Sequence, residues 1–199
     1  MSIKRLVRET RTIMAVPLVE IDGVANILYG APASPSIVPF AAPTAAALNF
    51  WLAVTTPSAV GAGIGGNISR AIRDNANLGL AASQTEQNPL ITSVGNEVDT
   101  KFAQVNAVLE CFRDVDDRAN GVWNLASNLF RVKGSRYALV DRIQGGKKWN
   151  TAFAAADVVS LYGVRTDAPV DNVGDQQYVS FTQNFKPTGL INPEYSLLS

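Results

Sequence analysis

At 199 residues the chain has room for one domain that buries a core without metals or disulfides. It contains no histidine and a single cysteine, Cys111, which excludes Ser-His and Cys-His nucleophile pairs, a histidine general base, an internal disulfide and an ordinary four-ligand zinc site. Seventeen basic residues balance seventeen acidic ones, so no global field draws nucleic acid or anionic lipid. Charged residues make up only 17%, against about 25% in ordinary soluble domains, and so sparse a charged surface suits a protein that hides surface in an oligomer.

Along the chain, residues 1–11 carry Lys4, Arg5, Arg8 and Arg11, but no apolar core with a small-residue cleavage site follows. The most apolar run, Ala45 to Val54, is about half the length needed to span a bilayer and is bracketed by Pro43 and Pro57. The expectation is a soluble, unsecreted protein with no membrane partner.

Val24 through Ser69 holds no Asp, Glu, Lys or Arg, yet includes Pro32, Pro35, Pro39, Pro43 and Pro57. Proline at this density prevents a long helix and disfavours central strands. Ile37, Val38, Phe40, Phe50, Trp51 and Leu52 are interleaved, so the segment reads as an extended arm or loop lying against its own domain or a neighbouring subunit. A short helix interrupts it, with Thr44 capping Ala45-Ala46-Ala47-Leu48 and Leu48, Trp51 and Leu52 at helical spacing.

From Ala103 to Cys111 the odd positions are apolar, while Gln104, Asn106 and Glu110 are polar, the period of a half-buried strand. Cys111 falls on its buried face as a small core residue. A helix of about four turns is predicted next, capped by Asp116 or Asp117, striped by Val122, Leu125, Ala126, Leu129 and Phe130, and stopped at Gly134 after Arg131 and Lys133. Three strands follow: Arg136 to Ile143, Val158 to Val164 and Tyr178 to Phe185. The second is apolar on both parities, so it is covered on both faces, either at the centre of a packed fold or by a partner subunit. The pattern is mainly β with one flanking helix.

Motifs that suggest chemistry have plainer readings. Gly61-Ala62-Gly63-Ile64-Gly65-Gly66 matches a dinucleotide fingerprint, but Thr55-Thr56-Pro57-Ser58 is a poor strand end and Glu86 sits in a loop-like run, so a glycine hinge is expected. Gly145-Gly146-Lys147-Lys148 lacks phosphate-loop spacing, and Asn67-Ile68-Ser69 means nothing without secretion. Asp114, Asp116 and Asp117 serve a helix start better than a metal. No cofactor is expected, and Lys and Arg form no nucleic-acid stripe.

The second half resembles the major tail tube proteins of long-tailed, non-contractile bacteriophages, particularly those of actinobacterial hosts. The resemblance is carried by Leu90-Ile91-Thr92-Ser93-Val94-Gly95-Asn96-Glu97, Glu110-Cys111-Phe112-Arg113-Asp114, Arg136-Tyr137-Ala138-Leu139-Val140-Asp141-Arg142, Asp157 to Val164, and Gln177-Tyr178-Val179-Ser180-Phe181 through Phe185-Lys186-Pro187-Thr188-Gly189. It implies two packed antiparallel sheets, a sandwich or barrel, over 57–191, flanked by a helix. An N-terminal segment, 1–56, carries the proline-rich arm or loop, and 192–199 form a tail. It also implies six copies closing into rings that stack into a tube through which DNA is ejected. The partners would be the chain itself, tape measure and terminator proteins, and genomic DNA in transient, non-specific passage, in a virion assembled in the host cytoplasm. Candidate inter-subunit contacts are Pro32, Pro35, Ile37, Phe40, Trp51, Val159 and Leu161, and candidate lumen acids are Glu110 and Asp114. The competing readings are another virion component, such as a tail terminator or capsid decoration protein, and a nucleotide-binding enzyme using Gly61–Gly66.

Overall fold

A computed structural model describes residues 11–31, 33–57, 64–73, 76–81, 84–88, 96–101, 104–113, 121, 123–142, 147–172 and 179–197, with the backbone alone at 80–81, 84–88, 96–101 and 104–106. Strands dominate: β1 (Thr12–Ile21), β2 (Val24–Ala31), β3 (Ser34–Pro39), β4 (Gly66–Asn67), β5 (Asn77–Ala81), β6 (Gln84–Asn88), β7 (Asn96–Lys101), β8 (Gln104–Arg113), β9 (Arg136–Arg142), β10 (Val158–Thr166), β11 (Val170–Asn172) and β12 (Val179–Ser196). Two helices accompany them, α1 (Ala45–Leu52) and α2 (Asn124–Phe130).

The mainly-β class holds, and ten strands form one antiparallel sheet in the order β3-β2-β1-β9-β10-β12-β8-β5, with β11 on β12 and β4 on β1. A separate hairpin pairs β6 with β7. The long strand β12 makes the sheet continuous. Its residues Val179 to Asn184 pair with β8, while Phe185 to Ser196 pair with β10. Residues 66–73 then join the two flanks of the sheet: Gly66 and Asn67 pair with β1, and Ile72 bridges Cys111 of β8. A single stretch of chain thus touches both β1 and β8.

The segment read as a proline-broken arm supplies β2, β3 and α1. Two prolines of β3 fall at the edge of the sheet, where a missing N–H costs no ladder bond. Strand β1, for which the sequence carried no expectation, is apolar on both parities and buried from Thr12 to Leu18. Helix α1 starts at Thr44, whose hydroxyl accepts the Ala47 N–H, as its cap sequence predicts. It buries Leu48, Trp51 and Leu52.

Helix α2 spans seven residues and two turns, against the four predicted. Its stripe Leu125, Ala126, Leu129 and Phe130 is buried as expected, Gly134 takes the left-handed stop at φ 90°, and Asp116 and Asp117 lie outside the described residues. Phe130 packs edge-on against both Tyr137 and Phe185, tying the helix to β9 and β12. Ala107, Leu109 and Cys111 of β8 are buried, as the alternation requires. Strands β9 and β10 are covered on both faces. At Gly163 a Cβ would come within 2.5 Å of the Thr188 hydroxyl, so β10 and β12 approach there more closely than any side chain would allow.

Candidate assembly surfaces

Edge strand β3, Ser34-Pro35-Ser36-Ile37-Val38-Pro39, is exposed along nearly its whole length and carries no charge. Phe40 N donates to Ala25 O at 2.9 Å, so the even positions of β3 turn their backbone groups to β2 and the odd positions turn theirs outward. The outer edge therefore offers the carbonyls of Pro35, Ile37 and Pro39 but only one N–H, that of Ile37. Ile37 is 46% exposed.

More apolar surface clusters near the β1–β2 turn. Asp22 and Gly23 take φ of 50° and 75°, a two-residue turn of the kind that matches strand twist, and Ile21 and Val24 face each other across it, both exposed. Glu20 just before the turn pairs with Arg136 at 3.0 Å. Close in sequence to Arg136, the turn after α2 exposes Val132 and places Lys133 3.1 Å from Asp167, which also meets Lys186 at 3.2 Å. The Ala168 N–H, Lys133 and Lys186 together lower the Asp167 carboxyl to about 2.

Elsewhere, Arg142 is a buried cation that holds residues 147–157 against the sheet. Its Nη2 donates to Thr151 O (2.6 Å), Lys148 O (3.2 Å) and Thr12 Oγ1 (3.2 Å). Its Nη1 reaches Asp157 Oδ2 at 3.4 Å, and the guanidinium lies 4.1 Å from the centre of the Phe153 ring. Burial pulls the Arg142 pKa down and Asp157 acts against that pull. Burial also pushes Asp157 up, but bonds from Lys147 and the Ala154 N–H outweigh it and keep the carboxyl below its ordinary value. Asn49 of α1 completes the attachment: Oδ1 accepts Phe153 N–H at 2.7 Å and Nδ2 donates to Phe153 O at 2.9 Å. Nearby, Arg11 makes a two-pronged bond to buried Asp141.

The candidate residues separate by position. Pro35 and Ile37 stand on the open edge, whereas Phe40, Trp51, Val159 and Leu161 are buried within the subunit's own core, where they hold the sheet and α1 together. Pro32 and Asp114 lie outside the described residues. Glu110 forms an ion pair with Arg73, whose guanidinium sits 5.5 Å from the Phe112 ring centre. Cys111 is fully buried, and burial, with Glu110 beside it, pushes its thiol well above the ordinary range.

The glycine fingerprint also has a packing explanation. A Cβ on Gly65 would meet Pro17 Cδ at 2.6 Å and Trp51 Cζ3 at 2.9 Å, and one on Gly66 would meet Val54 O at 2.7 Å. These two glycines admit backbone into the core between β1 and α1; Gly61 and Gly63 lie outside the described residues. Among the described residues no group of three or more His, Cys, Asp or Glu could hold a metal, and no helix is long and apolar enough to cross a membrane. The residues that sequence reasoning missed are Asn49, Arg142 and Arg73. Each is a single polar residue whose partner lies far away along the chain, so no local pattern marks it.

The described residues thus form one antiparallel sheet of ten strands that ends in a charge-free edge strand, together with a separate hairpin and two helices. The family model described as phage tail tube protein matches residues 31–198, and the chain belongs to that family. It is accordingly a structural component of a bacteriophage tail, a virion protein that assembles with copies of itself and other tail proteins. No curated protein matches the chain, and no solved structure matches it.

Proposed function

We propose that the protein polymerises into stacked rings, six-fold as the sequence resemblance implies, that form the tail tube of a long-tailed, non-contractile phage. The tube is the conduit through which DNA leaves the virion, and the protein has no catalytic task. Membership of the tail tube family carries this reading. The exposed, charge-free strand β3 with Pro35 and Ile37 is a candidate contact between copies in this reading. The low charge density has the same sense. In this reading subunits assemble in the host cytoplasm, with tape measure and terminator proteins as neighbours.

Negative-stain electron microscopy of the purified chain over a concentration series tests it. Long hollow tubes are the expected result. Isolated rings or trimers at every concentration would instead assign the chain to a terminator or decoration role.

A further inference from the structure

Cationic side chains line up where three strands meet in register. Arg165 of β10 pairs with Arg136 of β9 on one side and with Lys186 of β12 on the other. Directly paired residues share a face, so Arg136, Arg165 and Lys186 stand in one row across three neighbouring strands, with Cβ atoms about 4.5–5.5 Å apart at each step. Lys133, in the turn after α2, joins the group through Asp167, which it shares with Lys186.

Like charges set directly opposite one another destabilise a sheet. The two outer cations of the row are relieved, Arg136 by Glu20 at 3.0 Å and Lys186 by Asp167 at 3.2 Å. Arg165, between them, is exposed and forms no ion pair among the described residues. Four cations, Lys133, Arg136, Arg165 and Lys186, thus meet two paired carboxylates, Glu20 and Asp167. The group carries an excess of two positive charges in a chain whose net charge is zero.

A carboxylate brings one charge, and one such group already answers each outer cation. An excess of two, centred on a guanidinium fork, matches a tetrahedral dianion, whose oxygens accept from separate strands at once. We infer that the Arg136–Arg165–Lys186 row binds a phosphate-type oxyanion, with Arg165 at the centre and Arg136 and Lys186 at its flanks. Free phosphate and the successive phosphates of a nucleic acid offer the same chemistry. The row lies within one subunit, so this site can fail while tube formation stands.

Arg165→Gln tests it. In phosphate-free buffer the variant loses a repulsion and no ion pair, so its urea midpoint should equal or exceed that of wild type. At constant ionic strength, phosphate at ten times its Kd should raise the wild-type Tm by roughly 3–6 °C and that of the variant by much less. Stabilisation by exclusion of phosphate from the protein surface acts on both alike and drops out of the comparison. Calorimetric titrations with inorganic phosphate and with a single-stranded oligonucleotide separate the two sources. Saturation by phosphate assigns the free anion, and saturation by the oligonucleotide alone assigns backbone phosphates. Equal thermal gains in the two proteins, or no saturable binding of either probe to wild type, overturn the site. Lys186→Gln, which leaves Asp167 to Lys133, repeats the comparison if Arg165→Gln does not fold. If neither probe binds yet a folded Arg165→Glu forms no tubes, the row meets an acidic surface of another copy, and the phosphate inference is wrong.

Discussion

The indole Nε1 of Trp51 donates to the carbonyl oxygen of Leu28 at 2.7 Å. Leu18 pairs with Ile27, so the residue next in register opposite Leu28 is Pro17, which has no N–H to give. A tryptophan on α1 thus replaces a ladder donor that β1 lacks, and a proline becomes tolerable inside the sheet. Trp51→Phe keeps most of the buried ring and leaves the Leu28 carbonyl without this donor. The expected loss is about 1–3 kcal/mol in urea unfolding, the cost of an unsatisfied acceptor.

Gly65 packs its bare Cα against Pro17 and the Trp51 ring. Gly65→Ala forces a methyl into that contact and is expected to cost about 1–3 kcal/mol, the usual penalty of overpacking. Gly79→Ala is the control, because nothing lies within 4 Å of its added methyl. Its urea midpoint should match wild type or exceed it.

Arg142→Met removes the cation that gathers the carbonyls of Lys148 and Thr151 and the carboxylate of Asp157. Breaking a buried pair from one side costs about 3–5 kcal/mol, and Lys147 remains on Asp157, so the lower end is expected. The loss should be local first, with trypsin cutting after Lys147 and Lys148 much faster than in wild type, read by mass spectrometry of the fragments.

Asp167 contributes to acid stability. Its carboxyl, lowered to about 2 by the Ala168 N–H, Lys133 and Lys186, titrates below the roughly 3.9 of an unfolded aspartate. A depressed folded pKa gives stability that is complete above the unfolded value and is lost as pH falls through the folded one. Between about pH 4 and 2 wild type should lose stability more steeply than Asp167→Asn. Equal slopes in that window would remove the carboxylate from the account.

Periodicity made the elements around β8 and α2 readable, because each buries one face with residues adjacent in the pattern: Leu109 and Cys111 in the strand, Leu125, Ala126, Leu129 and Phe130 in the helix. Leu161 and Tyr162, adjacent and both buried, likewise marked β10 as covered on both sides. The first third was harder to read. Strand β1 is apolar on both parities and interrupted by Pro17, and β3 is nearly all exposed with two prolines, so neither shows strand alternation. What makes them strands is pairing with β9 and β2, and the donor from Trp51, all matters of tertiary contact. Among the candidate contacts, composition singled out Ile37 and Trp51 alike; only the fold separates an exposed edge residue from a core ring.

The eighteen residues of β12 run without a break from the β8 side of the sheet to the β10 side. Force that would draw those two sides apart acts along the covalent backbone of β12 before it can open a row of hydrogen bonds, so yielding should begin elsewhere in the sheet, where neighbouring strands share no such crossing.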